Sequence, residues 1–148
     1  MKGVAHGFPT VFHTLVSNIN VDVSRVDKDG LSIIHYITRL VSSMPTYREF
    51  LGDVLRTLQG RVDINGRDRS GRTALMYAVI DNSFAVAADL LQFDADPRMQ
   101  DSYNVSTAAM CKDSALRQLL VEASADLTIK EHSRWEQDTR VGPHDDLR

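Results

Sequence analysis

The sequence predicts an all-α fold built from about three to four repeated helix-turn-helix units. Three observations predict it: a short helix-start motif recurs along the chain, turn markers with aspartate recur beside it, and apolar stripes of helical period lie between the markers. The composition agrees, because 43% hydrophobic and 25% charged residues are typical of a folded soluble protein.

The helix-start motif is clearest in GRTALMYA, residues 71–78. Aligned with GLSIIHYI, residues 30–37, it matches glycine with glycine, threonine with serine and tyrosine with tyrosine. A third, weaker copy begins at Asn104. A serine or threonine at the third place can accept a hydrogen bond from a free N–H of the first helical turn, so it is the predicted N-cap. These N-caps are Ser32, Thr73 and Ser106.

The turn markers are VDVSRVDKDG (21–30), VDINGRDRSG (62–71), ADPRMQDSYN (95–104) and ADLTIKEHS (125–133). In the first three, a second aspartate follows the first, and glycine or asparagine comes three residues later. Glycine and asparagine adopt the left-handed conformation most easily, as a tight turn into a helix requires. The markers therefore predict a turn at the end of each unit.

Unit lengths differ. The unit that starts at Ser32 is about eight residues longer than the next, and the extra residues are predicted to form a loop at VSSMPTYRE (41–49). The last unit is short, so its second helix is predicted to be short or skewed. Residues 9–17 are predicted to form a lone outer helix.

These units resemble ankyrin repeats over about residues 10 to 130. Residues 68–100 have the family's repeat length without a gap, with TALMYA and DADP at the places of T-P-L-H-x-A and GAD. The resemblance implies an ankyrin-repeat solenoid with β-turn or hairpin loops between units. The predicted divisions are a partial repeat or cap (1–26), a repeat with an insertion (27–67), a repeat (68–100), a short repeat (101–130) and a polar tail or imperfect cap (131–148).

The resemblance also assigns structural roles to single residues. It implies that His35 hydrogen-bonds across neighbouring turns, and that Met76 and Ala109 lack this bond. Cys111 is predicted to be a core residue at an alanine position rather than a reactive thiol. Trp135 is predicted to pin the tail to the last helix, the alternative being a binding hot spot.

Several function classes are disfavoured. Phosphate-loop, zinc-protease and serine-hydrolase motifs are absent and the five histidines are scattered, so neither an enzyme nor a cofactor or metal site is predicted. A net charge of −3 disfavours direct nucleic-acid binding. A single cysteine and the lack of a signal-peptide or membrane-span pattern favour a cytoplasmic or nuclear protein that is not secreted. The chain is predicted to be monomeric alone.

The resemblance implies binding of a protein partner through turn tips and exposed first-helix residues. Tyr103 and Leu31 are the bulkiest apolar candidates. The cluster Arg67, Arg69 and Arg72 can pair with acidic partner side chains, unless Asp63 and Asp68 neutralise it. The predicted partner-binding residues are Lys28, Asp29, Leu31, Arg39, Arg69, Ser70, Arg72, Ile80, Asp81, Ser102, Tyr103, Val105 and Asp113.

Within the family, residues 78–113 are similar to the middle repeats of IκB-type inhibitors, and the unit beginning DKDGLSIIHY is similar to their first repeat. This likeness implies an inhibitor that binds a Rel/NF-κB-type dimer and blocks its DNA binding or nuclear entry. The degron pattern D-S-G-x-x-S is absent, as in short viral proteins of this type that suppress host immune signalling. The alternative is a general ankyrin adaptor or scaffold, or a fragment of a larger ankyrin protein such as a receptor tail or ubiquitin-ligase subunit.

Overall fold

The computed structural model describes residues 14, 17, 18 and 20–141. Within that part the chain forms helices and no β-strand, apart from an isolated antiparallel bridge between Gln100 and Ser106. The predicted all-α class is confirmed. The helices are α1 (Ile33–Ser43), α2 (Arg48–Leu58), α3 (Ala74–Ile80), α4 (Phe84–Gln92) and α5 (Ser114–Val141), with short 3₁₀ helices at Pro45–Tyr47 and Ala108–Met110.

The helices pack as stacked hairpins. α1 packs against α2 and α3 packs against α4, while α1 also contacts α3 and α2 also contacts α4. α1 and α3 thus form an inner row, and α2 and α4 form an outer row that α5 continues by packing on α4. The core lies between the inner and outer rows, because the apolar stripes of the helices in each row face the other row. Its fully buried side chains include Val41, Leu51, Leu58, Leu75, Leu90, Leu116 and Leu120.

The start and the end of α3 follow from local chemistry. Thr73 is the N-cap, as predicted, and its Oγ1 accepts a hydrogen bond from the Met76 N–H at 3.3 Å. Asn82, just past the helix, has a φ of 54°, which breaks the helical path before α4. Cys111 is buried in the core, which confirms the predicted core position.

The extra residues of the first unit do not form the predicted loop at 41–49. They mostly lengthen the helices: α1 and α2 have 11 residues each, whereas α3 has 7 and α4 has 9. Proline is tolerated in the first turn of a helix, so Pro45 opens a 3₁₀ turn that leads directly into α2. The segment is therefore largely helical.

The last unit also differs from its prediction. Its inner helix is only the 3₁₀ turn Ala108–Met110, and its outer helix α5 is 28 residues long rather than short. The Asp113 Oδ1 accepts from the Ala115 N–H at 3.0 Å, which starts α5 early. No glycine or proline occurs from 114 to 141, so the helix runs through the marker at 125–133 and past residue 130.

The end of α5 changes the interpretation of Trp135. This residue lies on α5 itself and is 62% exposed, with its ring stacked on His132 at a centroid distance of 6.2 Å. The prediction that it pins a separate tail to the last helix is therefore wrong. At the other terminus, Thr14 and Ser17 are helical, and all other residues of the helix predicted at 9–17 lie outside the described residues. The number of repeats and the unit boundaries stay predictions.

Candidate functional site

Three equivalent turns line one edge of the molecule: turn 1 (Asp27–Leu31), turn 2 (Asp68–Arg72) and turn 3 (Asp101–Val105). In each, the aspartate Oδ1 accepts two backbone N–H groups, from the second and fourth residues after it, at 2.9–3.0 Å. Counted with the aspartate as the first residue, the fourth residue of each turn has positive φ: 79° at Gly30, 75° at Gly71 and 61° at Asn104. The aspartates thus fix the shape of each tip, as Asx turns do.

Adjacent turns are joined by backbone hydrogen bonds. The Arg69 N–H donates to the Asp29 carbonyl at 2.8 Å, and the Ser102 N–H donates to the Ser70 carbonyl at 2.9 Å. This stacking brings the predicted tip residues Lys28, Arg69 and Ser102 into one row. The edge is therefore rigid and presents its side chains in a fixed order.

His35 ties turn 2 to the start of α1. Its Nδ1 accepts from the Ser32 N–H at 3.1 Å, so the proton lies on Nε2, which donates to the Arg72 carbonyl at 2.9 Å. The predicted hydrogen bond across neighbouring turns is confirmed. Met76, at the equivalent place in the next unit, is fully buried and packs instead.

The second carboxylate oxygen differs between turns. In turns 1 and 2 it accepts from a tyrosine hydroxyl, Tyr36 and Tyr77 respectively. Burial, and then the hydrogen bond to Asp68, raise the pKa of Tyr77 to about 12. In turn 3 Met110 stands at the tyrosine position, and the Asp101 Oδ2 faces the Arg72 Nε at 3.6 Å instead.

A concave hollow of about 360 Å³ opens beside turn 3. It exists because the inner helix of the last unit is one 3₁₀ turn, which leaves the C-terminal end of α3 uncovered. We call it the turn-3 hollow. It is lined by Arg72, Ile80, Asp101, Tyr103, Val105, Met110 and Lys112.

The hollow combines apolar walls with positive charge. Tyr103 is 75% exposed, and Ile80 and Val105 are each 38% exposed. Arg72 and Lys112 contribute two cations against the one carboxylate of Asp101, which is buried. The Val105 N–H, more than any other group, holds the pKa of Asp101 below its usual value, so this carboxylate is ionised at neutral pH.

Four of the predicted partner-binding residues meet in this hollow: Arg72, Ile80, Tyr103 and Val105. The others are dispersed. Leu31 is half-buried, Arg39 lies 5.3 Å over the Tyr77 ring, and Asp113 caps α5. The remaining ones are Lys28, Asp29, Arg69 and Ser102 at exposed tips, the half-buried Ser70, and the exposed Asp81 after α3.

Sequence reasoning missed Met110 and Lys112. Both follow from the alignment of the third copy with the second, which places Met110 under Tyr77 and Lys112 under Val79. The predicted arginine cluster is split: Arg67 donates to the Gly71 and Gln100 carbonyls, at 3.0 and 2.9 Å, while Arg72 points to Asp101. Its suggested neutralisation is not seen, since Asp63 and Asp68 form no ion pair with these arginines among the described residues.

A larger open groove of about 620 Å³ lies between α2 and α4. Its charges balance, with Arg48 and Arg56 against Glu49 and Asp89, and burial raises the pKa of Asp89. Within the part of the chain that is described, no three His, Cys, Asp or Glu residues are grouped as a metal site. No helix there is both long enough and apolar enough to cross a bilayer.

Comparison with known protein families supports the predicted resemblance. Residues 70–102 match the model of the ankyrin repeat family. The match runs from the tip of turn 2 through α3 and α4 to the start of turn 3, so it supports the resemblance drawn from the sequence. No curated protein matches the chain. Ankyrin repeats are non-catalytic domains that bind protein partners, in agreement with the prediction that the chain is not an enzyme.

Proposed function

We propose that this chain is a protein-protein interaction module that holds its partner in the turn-3 hollow and on the neighbouring turn tips. The observation that carries the proposal is the placement of the hollow. It opens beside the segment that matches the ankyrin repeat family, and Tyr103 stands exposed at its rim. Tyrosine is among the residues that most often dominate the energy of protein interfaces.

The rigidity of the edge supports the same function. The tips are held by aspartate hydrogen bonds and by the bonds between turns, so little conformational freedom is lost when a partner binds. A preorganised surface binds more tightly than a flexible one of equal area, because less ordering opposes binding.

Affinity capture from the native cell tests the proposal. The wild-type chain, a Tyr103→Ser/Val105→Ser variant and an Ile129→Ser control serve as baits. Ile129 is exposed on α5, away from the hollow, so the control removes a comparable apolar side chain. We expect partners held by wild type and by the control to be lost by at least about tenfold from the double variant. Equal recovery on all three baits would contradict the proposal.

A narrower function within this class is inhibition of a Rel/NF-κB-type dimer, in the cytoplasm or nucleus. It is supported by the order of the units, in which a unit similar to the first IκB repeat precedes one similar to the middle repeats. A purified Rel-homology dimer tests it. An inhibitor forms a discrete complex with the dimer and abolishes its DNA gel shift, whereas a general adaptor does neither.

A further inference from the structure

Arg72 has a fixed backbone, and its charged group has one long ion pair, to Asp101. Its N–H donates to the Asp68 Oδ1 at 2.9 Å, and its carbonyl accepts from His35 Nε2 at 2.9 Å. The backbone at this residue is therefore fixed on both sides. Its side chain is 36% exposed and lines the turn-3 hollow.

The guanidinium forms an ion pair with Asp101 that helps to lower the pKa of that carboxyl, but the contact is longer than a normal hydrogen bond. Its Nε is buried without a hydrogen-bond partner, and the nearest carboxylate oxygen, Asp101 Oδ2, lies 3.6 Å away. Asp101 already accepts two backbone N–H groups through its other oxygen. A guanidinium has five N–H donors that suit the two oxygens of a carboxylate, so most of this capacity is open to a ligand.

The surroundings of Arg72 define what else the ligand carries. Lys112 adds a second exposed cation to the hollow, and it forms no ion pair with any residue that the structure describes. Beside the two cations, Ile80, Val105 and Met110 form an apolar wall with Tyr103 at the rim. The hollow thus offers positive charge and apolar contact in the same concavity.

We propose that the turn-3 hollow binds an acidic-apolar segment of a protein partner. In this arrangement a partner Asp or Glu carboxylate accepts two hydrogen bonds from Arg72, with Lys112 nearby. The adjacent large apolar side chain packs on Ile80 and Met110 under Tyr103. This inference rests on the proposed function and specifies the chemistry of the partner.

The test starts from a displayed library of random 12-residue peptides, selected on the folded full-length chain. Enriched peptides are synthesised with a fluorescein label, and their affinity is measured by fluorescence polarisation. We expect them to carry Asp or Glu within two positions of Leu, Ile, Phe or Trp. Replacing that acid by its amide, or Arg72→Met in the protein, should weaken binding by about tenfold or more.

Two further variants keep the result interpretable. Arg56→Met removes an exposed arginine that is paired with Asp53 at 2.8 Å outside the hollow, and it should leave the affinity unchanged. Lys112→Gln removes a charge of the hollow without touching Asp101, so it covers the case in which Arg72→Met unfolds the chain. We expect it to weaken binding by about threefold, and to reduce the salt dependence of the affinity.

Enriched peptides without an acid, or binding indifferent to Arg72 and Lys112, would overturn this inference. If such binding were still lost in the Tyr103→Ser/Val105→Ser variant, the proposed interaction function would stand. Binding that was unchanged by the Arg72 and Lys112 variants and also by the Tyr103→Ser/Val105→Ser variant would contradict both the inference and the proposed function. Sedimentation that showed a dimer dissociated by Tyr103→Ser would instead identify a second copy as the occupant and overturn the acidic-apolar segment.

Discussion

Turns 2 and 3 share one internal design and differ in what covers them. Each has an aspartate that accepts two backbone N–H groups, and each has a residue of positive φ at its fourth position. Over Gly71 of turn 2, however, the backbone of turn 3 lies so close that an added Cβ would be 2.5 Å from the Ser102 nitrogen. Turn 3 has Asn104 at this place, with its Cβ already present and its side chain exposed.

This difference gives the two turns different roles: turn 2 is part of the structural framework, and turn 3 is exposed surface. Turn 2 lies between turn 1 and turn 3 and is bonded to both. The close approach of the turn 3 backbone therefore restricts which residue can occupy position 71. Turn 3 donates a hydrogen bond to turn 2 through the Ser102 N–H, and within the described residues no further turn donates to the Tyr103 carbonyl. It is therefore the turn with exposed large apolar residues and a hollow, where a partner can bind.

Gly71→Ala gives the largest expected effect. The substitution adds left-handed strain and a clash with Ser102, and together these should lower the free energy of unfolding by about 3 kcal/mol. Gly60→Ala is the matched control, since Gly60 has a φ of 80° and open space around the added Cβ. It should cost only about 1 kcal/mol. Urea unfolding measures both, and equal losses would mean that the stacking of turn 3 on turn 2 contributes nothing.

His35→Leu tests the contact between turn 2 and the start of α1. It removes a buried hydrogen bond to Arg72 and leaves the Ser32 N–H without its acceptor, so a loss of about 2 kcal/mol is expected. Met76→Leu, at the equivalent position of the next unit, conserves volume and breaks no hydrogen bond, and should cost less than about 1 kcal/mol. A cost for His35→Leu no larger than for Met76→Leu would show that the histidine acts only by packing.

These contacts are also what the sequence predicts best. Thr73 and His35 have the expected roles because capping and the bonds between turns depend on a few residues at fixed spacing. The wrong predictions concern segments whose structure depends on the number of residues between motifs rather than on which residues they are. The extra residues of the first unit could extend a helix or a loop, and only the packing of α1 on α3 and of α2 on α4 selects helix.

Only part of the lining of the turn-3 hollow can be predicted from the sequence. Arg72, Ile80, Tyr103 and Val105 follow from their positions at turns and helix ends. The hollow itself depends on a competition at Asp113, which caps α5 early and so shortens the inner helix to Ala108–Met110. That competition depends on the relative stability of two helices, which the motif alone does not determine.

Asp101→Asn gives a smaller effect that depends on pH. Hydrogen bonds from backbone N–H groups, that of Val105 first, lower the pKa of Asp101 in the folded state. The stability from this carboxylate is therefore present above the unfolded pKa of about 4, and it is lost as the pH falls through the lower folded value. Asparagine cannot titrate, so the variant should be less stable at pH 7 and lose less between pH 5 and pH 3.

The measurement is the urea midpoint at pH 7, 5, 4 and 3. Asp27→Asn in turn 1 is the comparison, because the pKa of Asp27 is also lowered, there chiefly by the Tyr36 hydroxyl. Both variants should flatten the acid side of the profile. If Asp101→Asn followed the wild-type profile down to pH 3, the turn 3 carboxylate would not be stabilised by folding as its hydrogen bonds imply.

Asn104 gives the smallest effect and the most direct test of the comparison. Because no further turn packs over Asn104 within the described residues, Asn104→Ala should cost only the strain of an ordinary residue at a φ of 61°, about 1 kcal/mol. Asn104→Gly should change the free energy of unfolding by no more than about 0.5 kcal/mol, since relief of strain is offset by the greater freedom of the unfolded chain. When a partner occupies the hollow, the free-energy changes for Asn104→Ala and Asn104→Gly should rise only if the partner packs over the tip of turn 3. Measuring the Asn104→Ala cost with and without a bound peptide therefore shows whether the ligand stays in the hollow or extends the stack of turns.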